Sequence, residues 1–199
     1  MPLRTLFATR LSQAMIGNEM LLGELARSIR TFAAEDEAGK RWSRDKGYHG
    51  YTSYASLNDL PRRDPAFEEL RRLLVRHAAA FATDLAFDLG RKPKLNSIWV
   101  NLLKPGGHHA GHIHPHSILS GTLYVEAPEG SGAIRFEDPR LPQMMAAPVR
   151  REDAPEDLRP FVGVVPQRGL LLMWESWLRH EVLPGRARAE RLSVSFNFA

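Results

Sequence analysis

Leu95-Asn96-Ser97-Ile98-Trp99-Val100-Asn101-Leu102-Leu103 decides the fold class. Read as a strand, it sets Trp99, Asn101 and Leu103 on one face and Ile98, Val100 and Leu102 on the other. Upstream of Arg91-Lys92-Pro93 the apolar spacing is helical. Leu21, Leu22, Leu25, Ile29 and Phe32 share a face behind a capping Asn18, and that helix fades across residues 34–40. Asp64-Pro65 starts a second helix, with Glu68 and Glu69 at its positive end. Its stripe is Phe67, Leu70, Leu74, His77, Phe81 and Leu85, and Gly90 is read as its end. His77 reads as a boundary residue of that stripe rather than a ligand. Leu3, Phe7 and Leu11 suit an edge strand or an extended arm. Residues 41–58 hold Trp42, Tyr48, His49, Tyr51 and Tyr54 and read as a loop with short strand pieces. Such a loop seals a helix against a sheet or covers a pocket, and sealing is the commoner role of aromatic groups.

Downstream, short strands are expected at Ser120–Glu126, Ala133–Phe136, Phe161–Val165, Leu170–Trp174, near His180, and over Leu192–Phe198. Residues 137–160 lack a period and form a long loop. Many short strands following two helices predict a mainly β fold with N-terminal helices, an antiparallel sandwich or jelly roll. One domain is expected over 1–199, with 1–93 a helical N-terminal support and 94–199 the β core.

The chain has no cysteine, which excludes disulfides, iron–sulfur clusters and thiolate zinc sites. No apolar run approaches membrane-spanning length and the N-terminus lacks the apolar core of a signal peptide, so the cytoplasm is the expected compartment. The net charge of +4 comes from scattered arginines without a basic block, which disfavours a nucleic-acid partner. An exposed sheet edge is the expected route to a homodimer.

Five of the eight histidines fall in Gly106-Gly107-His108-His109-Ala110-Gly111-His112-Ile113-His114-Pro115-His116. On a strand, His112 and His114 share a face. Imidazole suits iron, zinc, copper or nickel, and His180 is the natural third ligand, leaving open positions on the metal. His108, His109 and His116 read as supporting or exposed loop residues. Arg191 opens the last strand, and its guanidinium fork suits a carboxylate. Ser193, two residues on, shares that face.

These pieces, in this order, resemble the 2-oxoglutarate/Fe(II)-dependent oxygenases, and within them a little-characterised family. The resemblance rests on Trp99-Val100-Asn101, on His112 to Tyr124, on Gly169 to Val182 and on Arg191 to Asn197, and it covers residues 95–199. It implies a double-stranded β-helix packed against the two helices. It implies Fe(II) held by His112, His114 and His180, with 2-oxoglutarate bound by Arg191, Ser193, Tyr124 and Asn101. It implies hydroxylation of an unidentified small-molecule or peptide substrate, with 2-oxoglutarate decarboxylated to succinate. One departure stands out: His114 replaces the usual Asp or Glu. Glu175 and Glu137 are alternative carboxylates, although neither has the expected spacing.

Three rival readings remain. A cupin-like metal enzyme without 2-oxoglutarate fits Gly106 and His112-x-His114, but Ile118 and Leu119 stand where its glutamate belongs. A non-catalytic jelly-roll binding protein is the second. A nucleic-acid-modifying oxygenase, suggested by the basic charge alone, is the third.

Overall fold

The computed structural model describes residues 2–140 and 143–199, without the side chains of Gln143 and Met144. In chain order the first elements are β1 (Leu11–Met15), α1 (Glu19–Glu35), α2 (Glu37–Asp45), β2 (Gly50–Thr52), α3 (Leu60–Arg63) and α4 (Pro65–Asp84). Then come β3 (Leu95–Leu103), β4 (His109–His112), β5 (Leu119–Glu126), β6 (Ile134–Glu137) and α5 (Gln143–Ala146). The chain ends with β7 (Phe161–Val164), β8 (Leu170–Glu175), β9 (His180–Val182) and β10 (Arg191–Phe198).

The described strands make two antiparallel sheets, one in the order β1-β8-β5-β10-β3-β2 and the other in the order β4-β9-β6-β7. The alternation in β3 divides the interior in two. Ile98, Val100 and Leu102 join Leu123, Leu171, Val194 and Phe196 under Leu22, Leu25, Phe67 and Leu74 of α1 and α4. Burying each such side chain contributes about 1.5–3 kcal/mol, so this layer anchors the large sheet to the helices. The opposite face meets the small sheet, where Tyr124, Leu170, Leu172 and Trp174 pack with Ile134 and Phe136. That inner face is unusually polar, because Asn101, Ser120, Thr122, Arg191, Ser193 and Asn197 are all buried. Polar groups buried between two sheets supply the few placed donors and acceptors that orient a ligand in an otherwise apolar site.

The structure modifies several expectations. The first helix does not fade but breaks at Asp36, which starts α2 by accepting from Gly39 N at 3.0 Å. The same carboxylate accepts from Tyr51 Oη at 2.8 Å and Ser56 Oγ at 2.5 Å. These bonds hold its pKa below the usual carboxylate range, although burial alone pushes it up. Trp42 therefore lies in a helix rather than a loop. The second long helix stops at Asp84, before Gly90, since Ala86 takes a positive φ of 56°. Strand β1 begins at Leu11, and Leu3 and Phe7 lie exposed in the irregular segment before it. The 137–160 stretch carries α5 and a 3-10 turn at Glu156–Leu158, and residues 141–142 within it lie outside the described residues. Among the described residues, no helix is long and apolar enough to cross a membrane.

Gly121, in β5, sits under the Phe196 ring. A Cβ there would lie 2.4 Å from both the ring and the Leu172 carbonyl oxygen. Gly121→Ala is expected to lower unfolding free energy by about 1–3 kcal/mol, the usual cost of overpacking. Chemical denaturation at constant m-value would measure it.

Candidate metal centre

Pairing of β4 with β9 sets His112 directly opposite His180. Their ring centroids are 4.4 Å apart. Strand β4 ends at His112, so His114 does not share a strand face with it as the two-residue spacing implies. His114 is placed instead by its own backbone N–H, which donates to Ser176 O at 3.0 Å. Its ring comes to 5.1 Å from that of His112 and 5.2 Å from that of His180. One ring nitrogen from each of the three falls within 4.8 Å of the others, and no carboxylate joins the group among the described residues. Glu175 accepts from Trp177 Nε1 at 3.1 Å, and Glu137 pairs with Arg179 at 2.8 Å.

The protons point the right way for a metal. His112 Nδ1 lies 2.8 Å from Ala110 O, and His180 Nδ1 lies 2.9 Å from Leu178 O. A carbonyl only accepts, so both Nδ1 atoms carry hydrogen and both Nε2 atoms present lone pairs. His114 Nε2 then sits 3.3 Å from His180 Nε2. Burial pushes the His180 imidazole down to about 3 and the His114 imidazole down to about 4, with neighbouring histidines adding to both shifts. Neutral imidazole is the form that binds a metal. Trp99 stands beside His114 at 5.9 Å, and Trp174 meets His180 edge-on at 4.6 Å.

Arg191 opens β10 and is 5% exposed. Its Nη1 donates to Gly132 O at 3.1 Å, and its guanidinium lies 5.6 Å from the centre of the Tyr124 ring. It has no carboxylate partner among the described residues. Two buried side-chain polar atoms lack any hydrogen-bond partner there, Arg191 Nε and Trp174 Nε1, and both are donors. Ser193 is registered between Asn101 on β3 and Tyr124 on β5, so the expected carboxylate-binding residues share one region of the large sheet. Burial raises the Tyr124 phenol to about 12 against the opposing pull of Arg191, so it stays protonated. Asn101 binds Ser195 Oγ through Nδ2 at 3.1 Å and receives Tyr48 Oη at 3.4 Å.

Two further groups stand near this region. Of the two readings of His109, supporting or exposed loop residue, the structure favours the first: it is partly buried with Nε2 2.9 Å from Tyr48 Oη. Burial, then Arg191, pushes it down to about 3. A register shift in β4 between His109 and His112 sets its position, and strand alternation does not record it. Tyr48 comes from a stretch with no periodicity. His108 and His116 are exposed, and half-buried His77 belongs to no metal-competent cluster among the described residues.

A family model described as "Putative 2OG-Fe(II) oxygenase" matches residues 97–197. The chain belongs to this family. It is an enzyme, and the family uses Fe(II) and 2-oxoglutarate. No curated protein matches by sequence. Among solved structures, a Pseudomonas putida prolyl-4-hydroxylase superposes with a TM-score of 0.62 at 20% identity, over 96% of this chain and 92% of that one. AviO1 from Streptomyces viridochromogenes gives 0.63 at 15% identity, over 96% and 90%. The epimerase SnoN, in complex with Fe3+, alpha-ketoglutarate and nogalamycin RO, gives 0.63 at 16% identity, over 96% and 78%. These likenesses establish the jelly-roll fold.

The residues present fit both groups. Three neutral imidazoles with converging lone pairs suit a divalent iron, and a buried guanidinium with a free Nε–H and no carboxylate partner among the described residues suits a dicarboxylate. Alanine at His112, His114 or His180 is each expected to weaken Co(II) or Fe(II) binding by more than about 100-fold, since even supporting partners of metal ligands are worth 10–100-fold. Anaerobic calorimetric titration of the three variants would read this. Wild-type affinity in His114→Ala would remove that residue from the ligand set.

Proposed function

We propose that the protein is a dioxygenase that hydroxylates an unidentified substrate while converting 2-oxoglutarate to succinate and carbon dioxide. In this reading His112, His114 and His180 hold the iron. Arg191 and Ser193, with Tyr124 and Asn101 alongside, hold the far carboxylate of 2-oxoglutarate. The observation that carries it is Arg191: a buried cation with a free N–H, no counter-charge among the described residues, and a phenol and a serine hydroxyl around it. A buried charge without a partner is costly, and an anionic ligand removes that cost.

The bound iron with 2-oxoglutarate and oxygen supplies an oxidant able to attack an unactivated C–H bond. The chain's own part is positioning. Ala110 O and Leu178 O fix the two imidazoles in the ligating tautomer. Gly132 O holds one arm of Arg191 and leaves Nε for the carboxylate. Trp99, Trp174 and Phe136 surround the histidines with apolar edges and limit water.

The substrate side is the one on which Trp42, Tyr54 and Trp99 run in series toward His114, with neighbouring centroids 6.0, 5.3 and 5.9 Å apart. Tyr54 is 58% exposed in that series and is a candidate substrate contact. The 137–160 stretch leaves the small sheet beside the iron site, with Glu137 N donating to Arg179 O at 3.0 Å, and is the second candidate cover.

Iron-reconstituted protein in air is expected to release succinate slowly from 2-oxoglutarate in the absence of substrate. Arg191→Ala is expected to raise KM for 2-oxoglutarate by about 30-fold or more, because truncating one member of a buried charge pair costs 2–5 kcal/mol. Iron-dependent succinate release untouched by Arg191→Ala would contradict the assigned carboxylate site.

A further inference from the structure

Ser120, Ser176 and Asn197 lie in stretches that carry the family resemblance, yet the proposed chemistry gives none of them a task. All three are buried, with exposures of 1%, 0% and 8%. Ser120 on β5 is registered against Asn197 on β10, and its Oγ donates to Asn197 Oδ1 at 2.8 Å. Ser176, in the connection from β8 to β9, places its Oγ 2.7 Å from Ser120 Oγ. A hydroxyl carries one proton, and that of Ser120 is committed to Asn197, so the Ser176 hydroxyl donates to Ser120. The relay runs from Ser176 to Ser120 to Asn197. It crosses from the connection onto two neighbouring strands of the large sheet.

The connection that the relay anchors touches two of the three histidines. Ser176 O accepts from His114 N at 3.0 Å, and Leu178 O lies 2.9 Å from His180 Nδ1. Leu178 N donates to Glu175 O at 2.9 Å, which closes the turn. His112 and His180 have further support, because β4 pairs with β9 and β9 pairs with β6. His114 follows the end of β4, outside that ladder, and Ser176 O holds its backbone N–H. Ser176 is held in turn by two links. Its N–H donates to Ile118 O at 3.0 Å, and its side chain enters the relay. The Ile118 link runs back into the segment that carries His114, whereas the relay reaches β5 and β10 through side chains.

We infer that Ser120, Ser176 and Asn197 are positioning residues of the metal centre: their buried relay fixes the β8–β9 connection against the large sheet and so holds His114 within reach of His112 and His180. The inference rests on the proposed role of His114 as a ligand. The members contribute unequally. Ser176→Ala removes one donor and leaves Ser120 with an unused lone pair. Ser120→Ala takes the partner from both the Ser176 hydroxyl and Asn197 Oδ1, in an interior where an orphaned polar group is costly. A ligand held less firmly binds its metal less tightly, because part of the binding free energy goes into restoring its position.

The test is titration of Zn(II), in competition with a chelator, into the metal-free full chain, as a double-mutant cycle with His114→Ala. Ser176→Ala is expected to weaken Zn(II) binding about tenfold in the wild-type background, the low end for a group that supports a metal ligand. It is expected to change the affinity less than about twofold when His114 is already alanine. Ser120→Ala is expected to weaken Zn(II) more than Ser176→Ala does, and Ser176→Ala decides the question where Ser120→Ala fails to fold. The visible spectrum of the Co(II)-loaded chain is a second readout, expected to move in Ser176→Ala toward that of His114→Ala. A lower denaturation midpoint in metal-free Ser176→Ala with wild-type Zn(II) affinity would overturn the inference, making the relay a stabilising network alone, and would leave the proposed function standing. Equal weakening by Ser176→Ala with and without His114 would also overturn it, because the effect would then reach the metal by another route. Wild-type affinity in His114→Ala would overturn both the ligand role and the inference.

Discussion

An uncompensated positive charge inside the protein organises what surrounds it. Arg191 is buried at the start of β10, and what the described structure gives it is one carbonyl, one aromatic face and neutral polar neighbours. In an isolated chain this arrangement is unfavourable, because a buried guanidinium gains little from neutral groups. It becomes favourable when an anion enters. The polar inner face of the large sheet follows from the same constraint. Asn101, Ser193 and Tyr124 occupy adjacent strands in register, and each would be a poor choice for an apolar core. The helices on the other face supply the apolar burial that tolerates this.

The second centre is linked to the first by charge. Three imidazoles carry no charge, so a divalent iron bound to them keeps its full +2, where a carboxylate in place of His114 would leave +1. Adding Arg191 gives +3, and a dianionic 2-oxoglutarate would bring the pair of sites to +1. The three-histidine arrangement therefore raises the pull on a dianion. Glu137 and Glu175 do not correct this balance, since each is engaged with a neighbour outside the histidine group. Burial, with Arg191 and His112 adding to it, keeps His109 neutral.

Much of this was readable in the residues. The two-residue alternation of Leu95–Leu103 gave the strand with its bounds and both faces, because one face had to be apolar to meet the helices. His112, His180 and Arg191 stood out as candidates because few residue types hold a metal or a carboxylate. What the residues concealed was geometry set by distant partners. Asp36 restarts a helix because Tyr51 and Ser56 come back to bind it, and nothing in residues 34–40 records that return. His114 reaches the histidine group through a backbone bond to Ser176 rather than by strand alternation. Tyr48 comes from an aperiodic connection, and its contacts depend on where β3 and β4 place Asn101 and His109.

The measurement that tests the account most directly is anaerobic addition of Fe(II) and then 2-oxoglutarate to metal-free protein, watching for a visible metal-to-ligand charge-transfer band. The account predicts a band that weakens in both His114→Ala and Arg191→Ala. Tight iron binding without a band would contradict it and favour a cupin-like three-histidine enzyme that does not use 2-oxoglutarate.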